Sequence, residues 1–285
     1  IDDGLNGALG ADSETERERQ QAKLVAAIVE AAPDVLVLNE IENDGSDFTS
    51  TAADLLDAVD AAAPPGLSYL LLQVGAGALG TDAVSTVIFY NSDTVAQTTQ
   101  PAVLDESVDA SFVEPFNRPS IAQTFVHLAT GEFFTVAANH FADRDVQDLC
   151  DGLGDTLTSD QQGECRATRT AAAQAALAWL GTAPTGTDDP DYLVIGDLQT
   201  YLKGDPVTTL ESGSYTNLLP QFGTPPHYTY TEPDFNDAGF QGALDHALAN
   251  AALLPQVARA VAWHINAHEP DFLDYNTDNP PDLYS

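Results

Sequence analysis

Four apolar, strand-like runs in this chain each end on polar or ionisable residues, and this constrains the fold more than any other feature. VLVLN leads into Glu40, and FTVAA leads into Asn139 and His140. YLVIG leads into Asp197, with Gln199 two residues on, and GALDHALAN carries Asp245 and His246. A buried carboxylate or imidazole is costly unless it is paired, hydrogen-bonded or bound to a metal. One such residue can be a satisfied core group. Four separate strands ending this way predict convergence on one site. Strand side chains alternate between faces, so Asp197 and Gln199 point to one side while His246 points away from Asp245. His246 is therefore read as a packed core histidine.

The surrounding pattern alternates helix and strand. Residues 13–32 read as a helix with Ser13 and Glu16 as a capping box and Leu24 and Ile28 in its apolar stripe. VLVLNEIE (35–42) follows as a buried strand, then a helix over 49–63, a strand near 67–74 and a strand over 83–91. IAQTFVHLA (121–129) and EFFTVAANHF (132–141) form a hairpin around Thr130-Gly131. An alanine-rich helix spans 165–180, with further strands at 191–198 and 243–250. This order favours an α/β sandwich of mixed sheets over a doubly wound parallel sheet. Loops 142–164 and 223–242 are long and polar, no internal repeat appears, and residues 1–285 read as a single domain.

The charge sets the partners. Asp plus Glu number 44 against 9 Lys plus Arg, for a net charge of −35. The apolar periodicity argues for a folded chain with an acidic surface, the pattern of a halophile, where salt screens self-repulsion. Such a chain repels nucleic acid at low salt. A broad basic patch is excluded, but a nucleic-acid substrate at high salt is not. No apolar run reaches the roughly 18 residues of a membrane span, and no protein partner is indicated.

Carboxylates and amides at strand ends, without cysteine, suit a hard cation such as Mg²⁺, Mn²⁺ or Ca²⁺. A neighbouring His140 suits proton transfer, and Arg118 suits phosphate through bidentate geometry. Together they indicate phosphate-ester chemistry. Asp82 is a candidate for orienting His140. His264 and His268 read as structural, and His127 and His227 as surface residues. The DDG and DYNTDNPPD stretches read as solvated charge. Cys150 and Cys165 are the only cysteines. They are either a disulfide, which implies an oxidising compartment and contributes about 3 kcal/mol, or two free thiols.

NEIEN (39–43), NHF (139–141), GDLQTY (196–201) and LDHALA (244–249), in this order, resemble the endonuclease/exonuclease/phosphatase superfamily, which includes DNase I-like nucleases. GTDAV (80–84), NRPSIAQTF (117–125), CRATR (165–169), YTNLL (215–219) and WHINAHEPDFLDYN (263–276) extend the likeness to its bacterial extracellular nuclease branch. The resemblance implies a four-layer α/β/β/α sandwich of two mixed sheets. It implies Glu40 as the metal carboxylate, with Mg²⁺ first among the cations. His140 would be the catalytic histidine at the phosphate, paired with a carboxylate. Asp197 would orient the attacking water, with Gln199 where the family has Asn. Asp245 would be a further catalytic carboxylate, Arg118 a phosphate contact and Asn139 a substrate-binding amide.

Family members also carry a first strand with an Asn ligand and a last strand with Ser-Asp-His. Neither lies within Ile1–Ser285, so the chain reads as an internal fragment lacking both terminal strands. The resulting expectation is a secreted, metal-dependent phosphodiesterase acting on nucleic acid, DNA rather than RNA. The alternatives are a phosphatase acting on lipid or inositol phosphates, and a catalytically impaired surface binding module of the same fold.

Overall fold

Ser13 starts the first helix, α1 (Glu14–Ala31), by accepting the Glu16 N–H on its hydroxyl at 3.4 Å. Ser50 does the same for α2 (Thr51–Ala62) through the Ala53 N–H at 3.2 Å. In this computed structural model, residues 11, 13–75, 77–157, 160–232, 240–265, 267 and 275 are described. The DDG stretch, His268 and all but Tyr275 of DYNTDNPPD lie outside them.

The strands in chain order are β1 (Val35–Glu42), β2 (Tyr69–Leu71), β3 (Val84–Asn91), β4 (Val95–Gln97), β5 (Ala102–Leu104) and β6 (Arg118–His127). They continue with β7 (Phe133–His140), β8 (Tyr192–Asp197), β9 (Tyr215–Asn217), β10 (Tyr230–Glu232), β11 (Phe240–Gly242) and β12 (Asp245–Asn250). A small sheet has the order β1-β3-β2 and is antiparallel throughout. A larger sheet has the order β4-β6-β7-β8-β12-β9, with β5 also on β6. Its β7–β8 pair is parallel, so the mixed character belongs to the larger sheet. The strands the sequence does not reveal, such as β4, β5 and β9, are three residues long, too short to show an alternation.

Side-chain alternation builds four layers. Val87 and Phe89 of β3 face α1 and α2, packing with Ile28, Leu55 and Val59. Ile88 and Tyr90, on the other face, meet Ile121, Phe125, Val136 and Ala138 of the larger sheet. The far side of that sheet, through Ala137, Val194 and Leu248, carries α3 (Arg166–Leu180) and α4 (Asp205–Ser212) by way of Ala176, Trp179 and Leu210. Burying each large apolar side chain contributes about 1.5–3 kcal/mol. The expected order helix, sheet, sheet, helix is observed.

The long connection between β7 and α3 is tied at both ends. Cys150 and Cys165 form a disulfide with Cα atoms 5.3 Å apart, and no free cysteine remains. The fully buried Arg169 donates to the carbonyls of Ala142, Asp143, Gln162 and Glu164. Asp155 accepts from the backbone N–H and hydroxyl of Thr168 at 2.7 and 2.8 Å, capping α3.

Candidate active site

Strand register assembles the site. Arg118 lies opposite His140, His140 beside Asp197, and Asp197 opposite Asp245. Four adjacent strands therefore place these residues on one rung of the larger sheet. The rung faces the smaller sheet, since Val136, Ala138 and Ile195, at the same parity as His140 and Asp197, lie in the core between the sheets. Arg118 reaches that face because β6 has an irregularity between Arg118 and Ile121 that shifts its parity.

Glu40 arrives from the opposite sheet by a similar device. The β1–β3 register slips between Leu38 and Ile41, and Glu40 adopts φ 61°. This inserts one residue and turns the carboxylate over the rung. Glu40 Oε1 and Asp197 Oδ2 lie 3.9 and 4.0 Å from the same atom, His140 Nε2. Neither distance is a hydrogen bond. Both ring nitrogens of the fully buried His140 lack a hydrogen-bond partner among the described residues.

Burial, reinforced by the Arg118 charge, pushes His140 down to about 3, so the ring is neutral. Burial pushes Asp197 up to about 7, with the charges of Asp245 and Glu40 adding to the effect. Desolvation by the cleft walls also raises Asp245, which keeps exposed surface, and the neighbouring Thr229 hydroxyl opposes the shift. Gln199, at φ 50°, donates its backbone N–H to Asp197 Oδ1 at 2.8 Å and its side-chain amide to Oδ2 at 2.9 Å. Glu40, Asp197 and Asp245 border a cleft of about 530 Å³ whose other walls include Val37, Ala247 and Val261.

Asn139, one residue before His140, faces away from the cleft. Its amide donates to the Ala137 carbonyl at 2.8 Å and its oxygen accepts from Ser120 at 2.7 Å. Alternation along β7 forces this, and the structure does not bring Asn139 to the site. Arg118 is on the rung, but its two terminal nitrogens donate within the protein, and Nε makes only an ion-pair contact. Asp143 takes two at 3.3 Å each, Asp82 lies 3.3 Å from Nε, and the Phe141 carbonyl accepts at 3.3 Å. Asp82 is thus a partner of Arg118 rather than of His140.

The remaining histidines are placed by local contacts. His246 is buried, with its ring between the Thr200 carbonyl at 2.8 Å and the Asn217 amide at 2.9 Å, as expected of a core residue. Burial lowers it to about 4. His264 stacks on Tyr228 at 3.7 Å, a structural role, and His127 meets Thr130 in the exposed β6–β7 turn. His227 is half-buried, and its Nδ1 is enclosed, so it is less exposed than expected.

Two contributors escape the sequence reading. Asp143 holds Arg118, and Thr229 accepts the Leu244 and Asp245 N–H groups at 3.0 Å each, fixing the entry to β12. Among 44 acidic residues Asp143 carries no distinguishing mark except its closeness to NHF.

The donor set fits a hard cation held in part by the protein. Glu40 would supply an oxygen ligand in the cleft that the raised carboxylates of Asp197 and Asp245 also border. Among the described residues no three His, Cys, Asp or Glu side chains converge closely enough to hold a metal by themselves.

No family model matches the sequence, and no curated protein matches it. Solved structures do. The human Nocturnin catalytic domain with bound sulfate is 16% identical, with a TM-score of 0.53 over 82% of this chain and 75% of its own. A Bacteroides thetaiotaomicron mannosyl-6-phosphatase is 14% identical, with a TM-score of 0.56 over 85% and 82%. D. rerio TDP2 complexed with single strand DNA product is 13% identical, with a TM-score of 0.53 over 88% and 81%. Two further Bacteroides neighbours are endonuclease/exonuclease/phosphatase proteins. With four layers in this order and the strand-end rung between the sheets, the chain has the DNase I-like fold of the endonuclease/exonuclease/phosphatase superfamily.

Proposed function

We propose that the protein is a divalent-metal-dependent phosphodiesterase that hydrolyses nucleic acid, DNA in preference to RNA. The observation that carries the reading is the rung His140–Asp197–Asp245 with Glu40 set over it from the other sheet. A cation bound at Glu40, Mg²⁺ first and Mn²⁺ or Ca²⁺ as alternatives, would stabilise charge on the phosphate. Asp197, held on both oxygens by Gln199, orients the attacking water and accepts its proton. A carboxylate poised at about 7 is matched to that task at neutral pH. Neutral His140 supplies a ring nitrogen to a phosphate oxygen between Glu40 and Asp197. Asp245 serves as a further carboxylate at the far end of the rung, and Arg118, pinned by Asp82 and Asp143, fixes the near end and leaves no net positive charge there.

The disulfide supports a secreted, oxidising location. The −35 charge supports a halophilic source. Among the described residues no helix is long and apolar enough to cross a membrane. The likeness to a mannosyl-6-phosphatase favours a second reading, a phosphomonoesterase. Incubation with supercoiled plasmid and with a phosphomonoester, each with Mg²⁺ and with chelator, separates the two. Metal-dependent nicking is expected, and monoester hydrolysis without nicking would remove the nuclease reading.

A further inference from the structure

The scarcity of available positive charge raises the question of how an anionic substrate is held. Of the 9 basic residues, Arg17, Arg118, Arg144 and Arg166 are ion-paired and Arg169 is fully buried. Duplex binding depends on many phosphate contacts with Lys and Arg. An unpaired strand offers a second means of attachment, because the faces of its bases are accessible to aromatic side chains.

The segments bordering the rung expose such side chains at both ends. Phe48, 89% exposed, lies on the loop that follows Glu40. Asn43 anchors that loop by donating to the carbonyls of Leu79 and Asp82, next to the partner of Arg118. Trp263, 50% exposed, directly follows the cleft wall at Ala260–Ala262. Its neighbour His264 is locked on Tyr228, adjacent to Thr229, which holds the Asp245 backbone. The loop that carries Phe48 is thus anchored at the Arg118 end, and Trp263 follows the cleft wall on the Asp245 side. Three strand spacings, roughly 14 Å, span the rung between them. Tyr201, by contrast, offers only its edge. Arg144 covers one face at 3.9 Å, and a Cβ at Gly242 would meet the ring at 2.2 Å.

We infer that Phe48 and Trp263 are base-stacking platforms on either side of the rung, and that the substrate is single-stranded nucleic acid bound by stacking rather than by charge. The inference rests on the nucleic-acid reading of the site. Stacking has little ionic-strength dependence, and high salt removes the repulsion from this acidic surface. Binding therefore persists or strengthens as salt rises, the reverse of ordinary nucleic-acid affinity.

The test is fluorescence anisotropy of a labelled phosphorothioate oligothymidylate, free and annealed to its complement, with the full chain in Mg²⁺. The single strand is expected to bind at least about 10-fold more tightly than the duplex, with no loss between about 0.2 and 2 M NaCl. Phe48→Ser and Trp263→Ser are each expected to weaken it about 10-fold at unchanged melting temperature. Equal or tighter duplex binding, a steep fall with salt, absence of binding, or two variants that bind like wild type would each overturn the inference. Cleavage of the ordinary phosphodiester strand is scored separately. Binding without cleavage defeats the hydrolase reading and leaves the platforms standing, while duplex cleavage without single-strand binding does the opposite.

Discussion

Gln199 holds both carboxylate oxygens of Asp197, Oδ1 through its backbone N–H at 2.8 Å and Oδ2 through its side-chain amide at 2.9 Å. The position thus uses the full length of Gln, reached from a left-handed backbone at φ 50°. From sequence, Gln199 looks like an overlong Asn, and shortening it should help or do nothing. The contacts reverse that expectation. Gln199→Asn withdraws the amide from Oδ2, and the freed carboxylate loses its orientation, which can cost on the order of 100-fold in rate. Steady-state hydrolysis of a phosphodiester by the variant should fall, with kcat affected more than KM. Unchanged or higher kcat would show that the amide contact does not matter.

Asp197→Asn should separate stability from activity. The folded-state carboxyl sits at about 7 against an ordinary aspartate value of 3.8. Across that window the folded chain keeps a proton that the unfolded chain has released, so stability falls as pH rises from about 4 to 7. Asn carries no such penalty. At pH 8 the variant is expected to melt a few degrees higher than the parent while losing hydrolysis, with the melting difference vanishing below about pH 4. A lower melting temperature at pH 8 would contradict the buried-charge account.

The two buried histidines act in the opposite direction. His140 and His246 are pushed down to about 3 and about 4, from 6.5. The unfolded chain takes up their protons first, so their contribution is complete above about pH 6.5 and is lost as pH falls toward those values. Between about pH 4 and 6.5 they oppose Asp197, whose effect is shared by the raised carboxyls of Asp245 and Glu114. In thermal melts across this range His246→Asn should lose less stability than the parent as pH falls, even if its plateau is lower. A variant whose melting temperature follows pH in parallel with the parent's would refute the histidine contribution.

Gly196→Ala tests the contact between β7 and β8. Gly196 has φ 136°, and a Cβ there would lie 2.0 Å from the Asn139 carbonyl oxygen. That oxygen is fixed backbone one residue before His140. The strands must part or the chain must not fold, so the expected outcome is insoluble protein or a melting temperature lower by more than about 5 °C with no activity. Wild-type stability would mean that the pair is looser than described.

The legible parts of the fold are the long ones. β1, β3, β7, β8 and α3 announce themselves by period and length, and their polar ends foretell the meeting of His140, Asp197 and Asp245. The irregularity that aims Glu40 leaves no mark, whereas the one that aims Arg118 contains Pro119, and proline within a strand marks an edge or a bulge. The sequence offers Asn139 as a substrate-binding amide, yet the structure turns it toward Ser120 and the Ala137 carbonyl. The alternation that separates His246 from Asp245 also separates Asn139 from His140. Asp82 and Asp143 could not be paired with Arg118 from sequence, because in so acidic a chain every segment offers a carboxylate.

The rung also has a direction. Arg118 and Asp245 are the first residues of their strands, whereas His140 and Asp197 are the last of theirs. Four separate connections, two entering and two leaving, therefore meet at one rim while sharing no residue. Each can lengthen, shorten or change sequence without moving the strand ends that carry the chemistry. Substrate choice and catalysis can then be altered by independent genetic changes, a modularity that comes from one parallel strand pair flanked by antiparallel neighbours.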